Sequence, residues 1–219
     1  MDYIIFDKKT SKEKLKEMSI FIGDNVEIKE NVKLFAGVKL SGCCVVENNC
    51  EVGVNSVIIN SHIKNNVKII SSFVEDCVIG ENSTVGPFAN LKKGSSVGIN
   101  CRIGNFVEIK NSRIGNGVKI AHLTYVGDAE IKDDCNIGCG VVFCNYDGSV
   151  KRKSIIGEKV FIGSNVNIVA PVNIEDGAYI AAGSTINKDV LKNQFAIARE
   201  RQTNKDNFDN PYLKHLKNK

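Results

Sequence analysis

Three histidines occur in the chain, His62, His122 and His215. An imidazole titrates near neutrality, with an unperturbed pKa of about 6.5, so it can take a proton from a reacting group at physiological pH. His122, within Ala121-His122-Leu123-Thr124-Tyr125, is the best candidate base, because His62 and His215 have no comparable surroundings. Lys92 and Lys110 offer two ammonium groups at a separation of three repeat units, a pairing that suits a phosphate. Asn145-Tyr146-Asp147-Gly148 has the composition of a turn. The 8 cysteines form no CxxC pair and match no zinc spacing, and 3 histidines do not provide a converging set of imidazoles, so no metal is expected.

A six-residue period positions these groups. Ile22, Ile28, Leu34, Leu40, Val46, Val52 and Ile58 follow one another at that interval. After shortened steps the period returns through Ile79 to Ile109, Ile114 to Val126, Ile131 to Phe143 and Ile156 to Ile186. Gly often follows the aliphatic residue, as at Gly104 and Gly163, and the fifth position is small or β-branched, as at Ser83, Cys101, Thr124 and Ala178. The pattern is too short-stepped for a helix and too regular for a hairpin meander. It describes three short strands joined by tight corners, about eighteen residues per coil, with each strand paired in parallel to its equivalent one coil on. Aliphatic first positions and small fifth positions then point inward, and cysteines at the fifth position read as small buried residues.

The register makes neighbours computable, since equivalent residues of successive coils stack at about 4.8 Å. It places His122, Cys139, Ser164 and Ala182 in one outward column. It also stacks Lys92 on Lys110, an unfavourable arrangement unless an anion sits between them or the side chains splay into water. Residues 1–21 read as an N-terminal cap segment, with a short helix over Thr10 to Met18 begun by Ser11. Residues 22–190 form the coil, interrupted by a loop over 144–155, where function tends to sit. Residues 191–219 form the C-terminal tail, in which Asn204 to Lys219 is polar and is expected to carry a short terminal helix.

Composition sets the outer bounds. With 219 residues, 42% hydrophobic, 25% charged and only 3 Pro, the chain is neither collagen-like nor disordered. No apolar run approaches the roughly 20 residues that span a bilayer, and the acidic start is unlike an export signal, so a cytoplasmic protein with reduced thiols is expected. A net charge of +4 is too mild to imply nucleic acid.

The period resembles that of the hexapeptide-repeat acyltransferase superfamily, which implies an all-β, left-handed parallel β-helix with short helical or irregular terminal extensions. Five strings carry a more specific likeness: Val85-Gly86-Pro87-Phe88-Ala89-Asn90-Leu91, Gly104-Asn105-Phe106-Val107-Glu108, Ala121 to Glu130, Cys144 to Gly148, and Ala196-Ile197-Ala198-Arg199. They resemble the glucosamine-1-phosphate N-acetyltransferase domain of the bifunctional enzymes of UDP-N-acetylglucosamine synthesis, over about Ile22 to Asn204. The resemblance implies acetyl transfer from acetyl-CoA to the amine of glucosamine-1-phosphate, without uridylyl transfer, because residues 1–21 are too few for a nucleotide-binding domain. It implies that His122 is the general base and that Lys92, Lys110, Tyr125, Asn136 and Lys151 hold the sugar phosphate. It further implies that Asn145, Tyr146, Ser164, Ala182 and Arg199 line the acetyl-CoA site, with the backbone N–H of Cys139 near the thioester oxygen. Lys92 stands where that family usually has Arg, a point charge in place of a bidentate fork, and Cys139 stands where it usually has Ala. A homotrimer with sites between neighbouring coils is implied as well, Lys151 reaching a neighbour from its loop. Two alternatives remain at this point: acetylation of another amino sugar phosphate or nucleotide sugar, and a non-catalytic coil that partners a separate uridyltransferase chain.

Overall fold

A six-residue unit has room for a few extended residues and one corner, and the chain repeats this almost throughout. The computed structural model describes residues 3–7 and 9–208. Up to the C-terminal end, each strand pairs with the third one after it, so the strands fall into three sheets of 11, 10 and 9 strands around a single core. Pairing along the coil is parallel, as in Ile103↔Ile120↔Ile137 in the first sheet and Leu91↔Ile109↔Val126 in the second. The architecture is the parallel β-helix that the period predicts.

Inward positions hold it together. Leu34, Ile58, Ile79, Leu91, Ile103, Ile109 and Ile120 are fully buried, as are Ser56, Ser83 and Ser184 at fifth positions. Each buried aliphatic side chain contributes about 1.5–3 kcal/mol against the entropy of ordering the chain. Hydroxyls are admitted to this core because many donate to the carbonyl two residues back: Ser61 to Ile59 at 2.7 Å, Ser112 to Lys110 at 2.8 Å and Thr124 to His122 at 2.7 Å.

Corners require left-handed backbone, which Asn tolerates better than other side chains. Asn49, Asn66 and Asn82 have φ of 59°, 59° and 58°, and their amides bond one to the next at 3.3 and 3.0 Å. Three consecutive corners between the first and second sheets depart from this habit, with Phe88, Phe106 and Leu123 at φ of 59°, 55° and 45°. All three side chains are exposed, and for bulky residues this conformation is rare.

The N-terminal end contains a strand that the period does not predict. Tyr3–Phe6 pairs antiparallel with Val32–Phe35 and closes the edge of the first sheet. The helix that follows, Lys12–Glu17, is capped by Ser11, whose hydroxyl accepts from the Lys14 amide at 3.2 Å. At the other end the last strand is Phe195–Ala196, paired with Tyr179–Ile180. Of the stretch Asn204 to Lys219 expected to carry a terminal helix, residues 209–219 lie outside the described residues. No helix of the described residues is long and apolar enough to cross a membrane.

All eight cysteines are free thiols, and Cys44, Cys50, Cys77, Cys101 and Cys135 are buried. Loss of hydration penalises their thiolates. Burial pushes Cys50 and Cys135 up to about 11 and Cys77 up to about 12. Iodoacetamide near pH 8 is therefore expected to label exposed Cys43 in the native protein and Cys77 only after denaturation, as read by peptide mass. Native labelling of Cys77 would mean that the coil opens on the reaction timescale.

Candidate active site

The corner between the first and second sheets has an unusual rung. Most pairs in the first sheet match two residues, but strands Arg102–Asn105 and Lys119–His122 also pair at the corner residue, Asn105↔His122. Gly104 permits that closeness, since a Cβ there would sit 2.6 Å from the carbonyl carbon of Ala121. The two side chains consequently project together, with His122 Nδ1 2.7 Å from Asn105 Oδ1. His122 is exposed, and its Nε2 makes no hydrogen bond among the described residues.

Below His122 the corner continues as a track. Backbone bonds run from Gly140 N–H to His122 carbonyl at 3.4 Å, from Asn165 to Cys139 at 2.8 Å and from Gly183 to Ser164 at 2.8 Å. His122, Cys139, Ser164 and Ala182 thus occupy successive rungs, as the register computes. The Cys139 N–H has no acceptor among the described residues. At the far end the Cδ of Arg199 lies 3.4 Å from where a Gly183 Cβ would be, so Arg199 closes the track.

The outward face of the second sheet carries two adjacent columns, Asn90, Glu108, Tyr125 and Val142 in one, and Lys92, Lys110, Gly127 and Cys144 in the other. Lys92 neither splays into water nor waits on an anion to offset Lys110: its Nζ lies 2.9 Å from Glu108 Oε1. Lys110 has no ion pair among the described residues. A Cβ on Gly127 would fall onto the Tyr125 hydroxyl and 2.7 Å from Asn145 Nδ2, so the glycine leaves room for both groups beside Lys110. Asn145, only 7% exposed, is anchored by donating to Asp128.

The segment after Asn145 is a small hairpin in which Tyr146 bridges Lys151 antiparallel. Asp147 organises it, accepting from the amides of Val150 at 2.7 Å and Ser149 at 2.9 Å. Those amides hold its carboxyl below the usual range. Lys151 lines a cavity of about 240 Å³ with Asn111 and Asp128.

Within one chain, Lys92, Lys110, Tyr125 and Asn145 share the second-sheet face, while His122, Cys139, Ser164, Ala182 and Arg199 follow the corner beside it. Asn136 lies on the first sheet between Lys119 and Phe161, and Tyr146 and Lys151 stand on the hairpin toward the third sheet. Lys151 comes beside the Lys110 rung, since the cavity it lines also holds Asn111, the next residue, and Asp128, whose backbone amide donates to the Lys110 carbonyl at 3.1 Å. Asn136, on the first sheet, is not brought to the two lysines. Four residues were not singled out from sequence: Asn105, Glu108, Gly127 and Asp128. Asn105 and Glu108 lie inside the string Gly104 to Glu108, and counting the shortened coil of seventeen residues from Asn105 to His122 would have stacked that pair. Among the described residues no group of three or more His, Cys, Asp or Glu could hold a metal ion.

Comparison with known proteins adds to this geometry. Residues 76–111 and 153–188 match the family described as bacterial transferase hexapeptide (six repeats). The bifunctional protein GlmU of Clostridium novyi is 50% identical over 184 residues, covering 84% of this chain and 40% of that protein. The GlmU of Clostridium acetobutylicum is 48% identical over 188 residues, 86% of this chain and 41% of that one. The chain thus spans about 40% of the length of these relatives. Among solved structures, the UDP-N-acetylglucosamine acyltransferase of Francisella novicida superposes with a TM-score of 0.57 at 17% identity, over 82% of this chain and 65% of that one. LpxA of Bacteroides fragilis gives 0.56 at 20% identity, over 78% and 66%. These two establish a shared fold.

Proposed function

We propose that this chain, two stretches of which match the bacterial hexapeptide transferases, moves the acetyl group of acetyl-CoA to the amine of glucosamine-1-phosphate. The observation that carries this reading is the meeting of a base and a cationic face: His122 projects at the corner, and Lys92, Lys110 and Tyr125 lie on the adjoining sheet.

In this mechanism Lys110 and Lys92 hold the phosphate, with Tyr125 and Asn145 ordering the sugar beside Gly127. The amine, mostly protonated near neutrality, first loses one proton to solvent. As the neutral amine attacks the thioester carbonyl directly, His122 takes a second proton from the nitrogen, so no cysteine nucleophile is needed. Collapse of the tetrahedral intermediate breaks the C–S bond and releases the CoA thiolate, to which the imidazolium returns that proton. The Cys139 N–H donates to the oxyanion that develops. The pantetheine arm lies along Ser164 and Ala182, whose small side chains leave the track open, and Arg199 pairs with a CoA phosphate. Because Asn136 stands on the first sheet, apart from the two lysines on the second, the site is completed between copies, in a homotrimer. Light scattering that finds a fully active monomer would exclude this assembly.

Lys92→Ala and Lys110→Ala are each expected to cost about 1 to 3 kcal/mol in sugar phosphate binding, roughly five- to 150-fold in KM, with the KM for acetyl-CoA unchanged. The Lys92 change should be the larger, since it also leaves the Glu108 carboxylate facing the phosphate without its partner. Steady-state kinetics with each substrate varied in turn checks this. An unaltered sugar phosphate KM in either variant removes that lysine from the site.

A further inference from the structure

We infer that Asn105 is a positioning residue that fixes the tautomer of His122, so that Nε2 is the nitrogen available to take a proton. The inference rests on the reading of His122 as the base. A side-chain amide oxygen can only accept, so the 2.7 Å contact from Asn105 Oδ1 to His122 Nδ1 requires the proton to sit on Nδ1. In the neutral ring the lone pair is then on Nε2, which has no partner among the described residues and belongs to an exposed side chain.

The backbone holds this orientation. The parallel ladder reaches the corner at this rung, the Leu123 amide donates to the Asn105 carbonyl at 3.0 Å, and the Thr124 hydroxyl donates to the His122 carbonyl at 2.7 Å. Phe106 and Leu123, the residues after Asn105 and His122, both take the left-handed conformation, which sends the chain into the second sheet straight after each member of the pair. The charged and titratable groups on the surrounding strands and rung are Arg102, Glu108, Lys110, Lys119, Tyr125 and Cys139, and none of them hydrogen-bonds the imidazole. Asn105 is therefore the group that sets which nitrogen is basic. With the opposite amide orientation, the NH₂ group would face Nδ1, the proton would move to Nε2, and the ring would present no base to a ligand.

The test uses the full chain labelled with ¹⁵N-histidine, with the His122 signals assigned by their loss in His122→Asn. At alkaline pH the wild-type imidazole is expected to carry its proton on Nδ1, and the Asn105→Ala variant is expected to shift toward the Nε2–H form that free imidazoles favour. In the same variant kcat should fall about ten- to a hundredfold, the scale of losing a partner that orients a histidine, with little change in either KM. Asn105→Asp preserves the acceptor and adds a charge that stabilises the imidazolium. It should therefore restore the plateau rate while moving the acidic limb of the profile to higher pH. A wild-type His122 protonated on Nε2 overturns the assignment, as does an Asn105→Ala variant that keeps both the tautomer and the rate. Should the chain acetylate nothing, the spectrum still decides the role of Asn105, while the reading of His122 as base fails separately.

Discussion

Replacing His122 by Asn is expected to lower kcat by about a hundred- to ten-thousandfold, the range typical of losing a positioned acid or base. The protein should remain folded, because His122 projects outward from a corner and contributes nothing to the inward ladder of Ile103, Ile120 and Ile137. Acetyl-CoA binding should persist, since Ser164, Ala182 and Arg199 occupy rungs beyond it. The part of the acidic limb that reports protonation of His122 should be lost in the variant, leaving only the fall set by protonation of the substrate amine itself. An unfolded variant would assign His122 a structural role, and a folded, fully active one would mean that another group takes the proton.

The second large effect concerns stability. Phe143 is 1% exposed and is the largest fully buried side chain among the described residues. It stands where other coils carry Ile, Val or Leu, paired with Ile168 in the strand Val142–Cys144 that leads directly into Asn145. Phe143→Ala removes that ring and leaves a void that aliphatic neighbours on a hydrogen-bonded ladder cannot close. The expected loss is about 3–5 kcal/mol, a large share of the roughly 5–15 kcal/mol that stabilises a domain. In a solenoid each coil contacts only its neighbours, so the damage should concentrate around the Asn145 hairpin. Urea unfolding measures the loss and hydrogen exchange locates it; a loss under 1 kcal/mol would show that the coil repacks there.

Much of this arrangement is legible in the residues. The spacing of Ile103, Ile120, Ile137, Ile162 and Ile180 defines the coil, and from it the column His122, Cys139, Ser164 and Ala182 follows by counting. Counting locates backbones, not rotamers. The column that stacks Lys92 on Lys110 suggests repulsion, yet Lys92 reaches diagonally into the next column to Glu108, sixteen residues away. Tyr125 and Asn145 converge because Gly127 lacks a side chain, a vacancy that composition alone does not locate in space. The strand Tyr3–Phe6 escapes the period because it pairs antiparallel with Val32–Phe35, outside the parallel register that the six-residue spacing sets. Asn136 stands on the first sheet, between Lys119 and Phe161, whereas the two lysines stand on the second.

The central claim is that this chain by itself transfers acetyl from acetyl-CoA to an amino sugar phosphate. The most direct measurement incubates the purified chain with acetyl-CoA and glucosamine-1-phosphate, following free thiol and the sugar product together by absorbance and NMR. The account predicts one thiol released for each N-acetylated sugar phosphate formed, dependent on both substrates. It also predicts little turnover with the unphosphorylated amino sugar, which gives Lys92 and Lys110 nothing to hold. Thiol release that ignores the sugar phosphate, or an acetyl group found on a hydroxyl instead of the amine, would contradict it.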